Sequence, residues 1–211
     1  MRSGTVFYLM RHGEARQNVL GILDSFPGNP VFGLTDFGKR QAEFMAGEIV
    51  RLGADLLFAS PMRRTRETAG FVAKACGLSV RYDDRLREIG FGSWNGTPAE
   101  AFLGPRGKYH DPLLRIDGNV EEGLESARDM RARLVEFLAD TLSEHEGSRI
   151  AIVSHGDPLE QLHGILVGDD IVVTMTGWYP RKGEVTEVSV PPGFRETMLA
   201  REPLLSSANP S

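Results

Sequence analysis

Cysteine is nearly absent from this chain: Cys76 is the only one in 211 residues. No internal disulfide can form, so the thiol content gives no sign of an oxidising compartment. Cys76 lies in an apolar stretch and reads as a buried structural thiol rather than a nucleophile. Long apolar runs are also missing, and none approaches the ~20 residues of a membrane helix. The first such run, Thr5 to Met10, has six residues, fewer than the roughly 7–15 of a signal-peptide core. The expected location is the cytoplasm, with no membrane partner. Positive charge is not in excess: 24 Lys+Arg face 29 Asp+Glu, a formal net charge of −5. That balance argues against general nucleic-acid binding. The five histidines show no zinc-protease spacing, no Cys/His cluster suggests a metal, and no Gly-rich nucleotide loop occurs. Neither a metal nor a cofactor is expected.

What is present is a repeated local pattern. Three short apolar runs each end in polar residues suited to phosphate. Thr5-Val6-Phe7-Tyr8-Leu9-Met10 runs into Arg11-His12-Gly13-Glu14; Leu56-Leu57-Phe58-Ala59 runs into Ser60-Pro61-Met62-Arg63-Arg64-Thr65; Ile150-Ala151-Ile152-Val153 runs into Ser154-His155-Gly156-Asp157. Ligands of α/β sheets bind beyond the carboxyl ends of the strands. If these strands are neighbours, two imidazoles and two or three guanidiniums converge. Such a cluster repels itself unless an anion sits within it, which points to a small anionic substrate.

The length suits one domain able to bury its own core. Continuously apolar strands imply a sheet covered on both faces, and their alternation with helical patterns predicts a mostly parallel three-layer α/β sandwich over residues 1–211. Thr35 reads as the N-cap of a helix carrying Phe37, Gln41, Phe44, Met45, Ile49 and Leu52 at helical spacing and stopping at Gly53. Ser60-Pro61 reads as cap and first turn of a helix ending near Gly77, its positive end aimed at the same point. Residues 90–123, rich in Gly and Pro, form a long excursion over the pocket, with Arg106, Lys108 and Arg115 as candidate contacts for a further anionic group. Leu124, Ala127, Met130, Leu134, Phe137, Leu138 and Thr141 mark a long amphipathic helix. A strand is expected at 149–153, a helix at 158–167, and weaker strands at 171–174 and 185–190. The segment 192–211 is expected to be a mobile tail. Ile171-Val172-Val173, read as an apolar edge, is compatible with a homodimer.

Arg11-His12-Gly13-Glu14 with Asn18 resembles the signature of the histidine phosphatase superfamily, the phosphoglycerate mutase-like family. Leu34-Thr35-Asp36-Phe37-Gly38 with Gln41-Ala42, Ser60-Pro61-Met62-Arg63-Arg64-Thr65, Leu86-Arg87-Glu88-Ile89-Gly90-Phe91-Gly92-Ser93-Trp94-Asn95-Gly96 and Ser154-His155-Gly156 follow in the family's order. The resemblance implies His12 as nucleophile, Glu88 as proton donor, and Arg11, Arg64 and His155 as the rest of the phosphate pocket. Asn18, Thr35 and Gly156 become further phosphate or substrate contacts. Arg64 fits the family position better than Arg63. Ala15-Arg16-Gln17 and Asn95 depart from the common pattern at the rim.

The residues support this chemistry on their own terms. A neutral imidazole is a competent nucleophile near neutral pH. Guanidiniums match phosphate oxygens. A carboxyl group among phosphate oxygens is disfavoured in its charged form, as a general acid requires. The resulting expectation is a metal-independent phosphoric monoester hydrolase forming a phosphohistidine, with a small phosphomonoester as substrate and inorganic phosphate as product. A phosphoglycerate mutase shares the same core but must exclude water. A phospho-ligand-binding module needs neither His12 nor Glu88.

Overall fold

A computed structural model describes residues 4–202. Its centre is a five-stranded sheet in the order β3-β2-β4-β1-β5, with β1 (Thr5–Arg11), β2 (Leu56–Ala59), β3 (Val80–Tyr82), β4 (Arg149–Ser154) and β5 (Val185–Val190). The first four are parallel, and β5 closes the β1 edge antiparallel. The helices are α1 (Arg16–Leu20), α2 (Asp36–Leu52), α3 (Arg63–Cys76), α4 (Ala99–Leu103), α5 (Ala127–His145), α6 (Gly156–Val167), α7 (Ile171–Thr176) and α8 (Phe194–Arg201). No helix among the described residues is long and apolar enough to cross a membrane.

Alternation along the strands builds the layers. Phe7, Leu9, Phe58, Ile150 and Ile152 join the core formed with α5, α6 and α8. Tyr8, Met10, Leu57, Ala59, Ala151 and Val153 face α2 and α3 on the other side. Both faces are therefore covered, which is why the strands read as unbroken apolar runs.

Local expectations fail where tertiary contacts outweigh them. The buried stripe of α2 runs through Gly38, Ala42, Met45, Ala46 and Ile49, while Phe37 and Phe44 are exposed. Small residues let α2 lie close to the chain after β1: a Cβ on Gly38 would come within 1.9 Å of the Glu14 carbonyl oxygen. The β-branched run 171–174 is helical. The Asp170 side chain accepts from the Val173 backbone N–H as its cap, and Thr174 and Met175 are buried. Val172 and Val173 are thus exposed on a helix, not along a sheet edge. The expected mobile tail is corrected over 194–201. There α8 buries Phe194 and Met198, one helical turn apart, against the core, and Glu202 pairs with the buried Arg131 at 2.5 Å. Residues 203–211 of that segment lie outside the described residues.

Candidate active site

β2, β4 and β1 are adjacent and in register, Arg11 opposite Ser154 and Ala59 opposite Val153. Backbone bonding continues one residue further, from His12 N–H to the Ser154 carbonyl and from Ser60 N–H to the Val153 carbonyl, each at 3.0 Å. The three polar strand ends are thereby fixed at one level. The rings of His12 and His155 lie 5.3 Å apart, and the Arg64 Nε–H sits between them, 3.1 Å from His12 Nε2 and 3.1 Å from His155 Nδ1.

These contacts assign the tautomers. His12 Nδ1 lies 2.7 Å from the Gly13 carbonyl, an acceptor, so it carries the proton and leaves Nε2 with its lone pair. His155 Nε2 donates to Ser60 Oγ at 2.8 Å while Nδ1 accepts from Arg64. Burial, then the charge of Arg64, holds both imidazoles well below their ordinary pKa. Ser60 is therefore a partner of His155 rather than the start of a helix: α3 begins at Arg63, with Met62 at its cap. Arg63 points away, pairing with Glu67 at 2.7 Å, whereas Arg64 is buried.

One cavity of about 300 Å³ is lined by Arg11, His12, Asn18, Arg64 and Glu88 among others. His155 lies beneath it and approaches Glu88 Oε2 at 3.9 Å. Burial, with the nearby Asp157 charge, lifts the Glu88 pKa to about 7 despite the opposing arginines. Asn18 lines this cavity and also accepts from the Ala15 backbone N–H. Thr35 is not among the lining residues; it caps α2, accepting from Gly38 N–H, and donates to Glu14 at 2.7 Å. Gly156 opens α6 beneath Tyr179, whose hydroxyl a Cβ would meet at 2.0 Å. Gly13 makes its close approach to the Gly38 backbone, 2.3 Å from an added Cβ.

Several contributors have no role assigned by the motifs. Asp24, from the Gly- and Pro-rich segment between α1 and α2, binds Arg64 with its carboxylate at 2.5 Å and its carbonyl at 2.9 Å, both side chains buried. Asp157 takes Arg115 from the excursion at 2.7 Å and the Tyr179 hydroxyl at 3.1 Å, and the Arg11 guanidinium lies over the Tyr179 ring. Lys182 lines the cavity beside Arg11. Asp24 and Lys182 lie in segments whose composition is ordinary for loops, so only the fold could reveal them. The excursion does supply cavity walls, through Phe91, Ala99 and Leu103. Its basic residues are committed or turned outward: Arg115 to Asp157, Lys108 to Glu122, and Arg106 exposed.

The chain matches the family model of the histidine phosphatase superfamily (branch 1) over residues 7–190 and belongs to that superfamily, whose members catalyse phosphoryl transfer. It is 33% identical over 163 residues to "Probable phosphoglycerate mutase GpmB" of Enterobacter sp. (strain 638), covering 76% of this chain and 74% of that protein. It is 32% identical over 170 residues to "Phosphoserine phosphatase 1" of Hydrogenobacter thermophilus, covering 77% and 76%. Among solved structures, Bacillus stearothermophilus YhfR superposes with a TM-score of 0.77 at 25% identity, over 90% of this chain and 93% of that one.

Proposed function

We propose that this protein hydrolyses small phosphomonoesters through a phosphohistidine at His12, without a metal. The observation that carries the reading is the pairing of two states in one cavity. His12 presents a neutral Nε2 lone pair toward Arg64, and Glu88 holds its proton up to about pH 7. A nucleophile and an acid are both ready at neutral pH.

In the first step His12 Nε2 forms a bond to phosphorus as the ester P–O bond breaks, and Glu88 gives its proton to the leaving alkoxide. Arg11 and Arg64 stabilise charge on the equatorial oxygens. The Glu88 carboxylate then takes a proton from water attacking phosphorus. The P–N bond breaks, releasing inorganic phosphate and restoring His12 and Glu88. His155, held by Ser60 beneath the cavity, acts in this reading from below, where the incoming anion favours its protonation.

Hydrolysis is favoured over a mutase reaction by the excursion. Its basic side chains are bound to carboxylates or exposed, so it offers no free cationic grip on a substrate carboxylate. Rapid quenching of the reaction with a labelled phosphomonoester is expected to trap an acid-labile label on His12, insensitive to chelator. Glu88→Gln should lose ~10²–10⁴-fold with alkyl phosphates and much less with nitrophenyl phosphate, whose leaving group hardly needs a proton. Activity persisting in His12→Ala would refute the nucleophile, equal losses on both esters would refute the acid, and isomerised phosphoglycerate without released phosphate would mark a mutase.

A further inference from the structure

A phosphoryl dianion at His12 needs two positive charges beside it, and the cavity has fewer free cations than its arginines suggest. Every nitrogen of the Arg64 guanidinium is already engaged, Nε with the two imidazoles and the other two with Asp24. The Arg64–Asp24 pair is neutral as a unit, and both imidazoles are uncharged. Arg11 differs: one terminal nitrogen donates to the Pro180 carbonyl at 3.3 Å, and its Nε is buried without a partner. Arg11 is therefore the one guanidinium lining the cavity whose charge no carboxylate already offsets, and before an anion binds neither imidazole adds to it.

The second open cation is Lys182. It lines the same cavity. Its backbone is bridged to Arg11, and its carbonyl accepts from the Gln41 side chain at 3.5 Å. The segment is thus held against the carboxyl end of β1. Among the described residues its ammonium has no hydrogen-bond or ion-pair partner. The charged and titratable groups around it are Arg11, Glu14, Glu88, Arg64 and His12, of which all but Glu14 line the cavity. The Glu14 and Glu88 charges act on this ammonium only from a distance; partly withdrawn from water and without a direct ion pair it carries a desolvation cost, which a phosphate oxygen within reach would offset with a charge-assisted hydrogen bond.

We propose that Lys182 is a phosphate-binding residue, its ammonium donating to a non-bridging oxygen of the transferring phosphoryl group alongside Arg11. This rests on the phosphohydrolase reading of the same cavity. The burial that makes the ammonium available also makes it titrate early: desolvation, then the Arg11 charge, lowers its pKa to about 8.

The test compares wild type, Lys182→Met, Lys182→Arg and the surface control Lys39→Met. Inorganic phosphate binding is read by calorimetry, and turnover with both nitrophenyl phosphate and phosphoserine, the latter carrying a carboxylate. Lys182→Met should weaken phosphate binding about 10- to 100-fold, the scale of one hydrogen bond to a charged group, and lower kcat/KM by a similar factor on both substrates. Lys182→Arg should recover most of it, and Lys39→Met should match wild type. Above about pH 8 wild-type phosphate affinity should fall as the ammonium loses its proton, and Lys182→Arg should not follow. Phosphate is already dianionic there, and the ionisation of Glu88 and Glu160 is common to wild type and Lys182→Arg, so the difference between their two profiles belongs to the lysine and needs no folded Lys182→Met. Unchanged phosphate binding in Lys182→Met, or a profile above pH 8 that is the same in wild type and Lys182→Arg, would overturn the assignment. A loss confined to phosphoserine would move Lys182 to a substrate carboxylate instead. Wild type that neither binds phosphate nor hydrolyses either ester would sink the phosphohydrolase reading itself; normal wild type with an indifferent Lys182→Met sinks only the lysine.

Discussion

At the scale of single residues, Arg64 shows how one buried guanidinium organises a site. Its Nε–H makes both imidazoles acceptors and so keeps them neutral, and Asp24 supplies the counter-charge that lets it be buried at all. Breaking a buried pair by removing one partner costs about 3–5 kcal/mol, because the other charge is left uncompensated. Asp24→Asn is therefore expected to lower the unfolding free energy by about that much, read as a fall in the denaturant midpoint at unchanged m-value. Millimolar phosphate should restore more stability to the variant than it adds to wild type, since an anion bound only by the folded state replaces the missing charge. A variant as stable as wild type would show that Arg64 finds other partners. His12, Arg64, Glu88 and His155 were legible because each sits in a compact motif. Asp24 was not: its partner is 40 residues away, and an aspartate in a Gly/Pro-rich loop is ordinary turn chemistry.

At the scale of elements, the loop bearing His12 is shaped by α2 as much as by β1. Gly13 and Gly38 bring two backbones together, and Glu14 N–H donates to the Gln41 side chain on the same helix at 2.7 Å. Gly38→Ala gains roughly 1 kcal/mol of helix propensity but places a methyl 1.9 Å from the Glu14 carbonyl oxygen. Fixed backbone cannot yield cheaply, and overpacking of this kind costs about 1–3 kcal/mol. The expected result is net destabilisation with a fall in kcat, as the His12 loop shifts. Gly47→Ala, on the same helix with open space around it, should instead stabilise by about 0.5–1 kcal/mol and leave turnover unchanged. Equal effects at the two sites would dismiss the interlock. The same element explains a misplaced helix face: Phe37 and Phe44 satisfied a periodic pattern, yet the close approach demanded Gly38, Ala42 and Ala46 inside. α7, expected as a strand, and α8, expected as tail, were misjudged for a related reason. Short helices take their stability from caps and packing, here Asp170 and the buried Phe194 and Met198, which local propensity does not register.

At the scale of the whole molecule, buried titratable groups make stability depend on pH with a definite sign. Glu160, buried beside Asp157, has its pKa raised to about 8, and Glu88 to about 7. Below those values the folded chain holds protons that the unfolded chain has released from about 4.5 upward, so stability falls as pH rises through that window. His12 and His155 act oppositely: below 6.5 the unfolded chain takes up protons that the folded chain refuses, so stability falls with acid. The two slopes oppose each other between 4.5 and 6.5; from 6.5 to about 8 the carboxyl contribution dominates, and above about 8 Lys182, lowered from 10.5, adds a slope of opposite sign. The urea midpoint is expected to decline from pH 6.5 to 8, and Glu160→Gln to remove most of that decline. A wild-type midpoint that stays flat across this range would show that neither carboxyl group is held protonated by the fold.

Sequence alone determined the fold class, the covered sheet and the polar residues that meet at the ends of β1, β2 and β4. Each of those is written in a local signal: an unbroken apolar run, a helical period, or a polar motif directly at a strand end. Tertiary structure alone decided which charges remain free. Asp24 neutralises Arg64, Asp157 takes Arg115, and Lys182 is brought to Arg11 without a partner. Electrostatic interactions depend on distance and burial through space, and neither quantity is encoded in the spacing of residues along a chain.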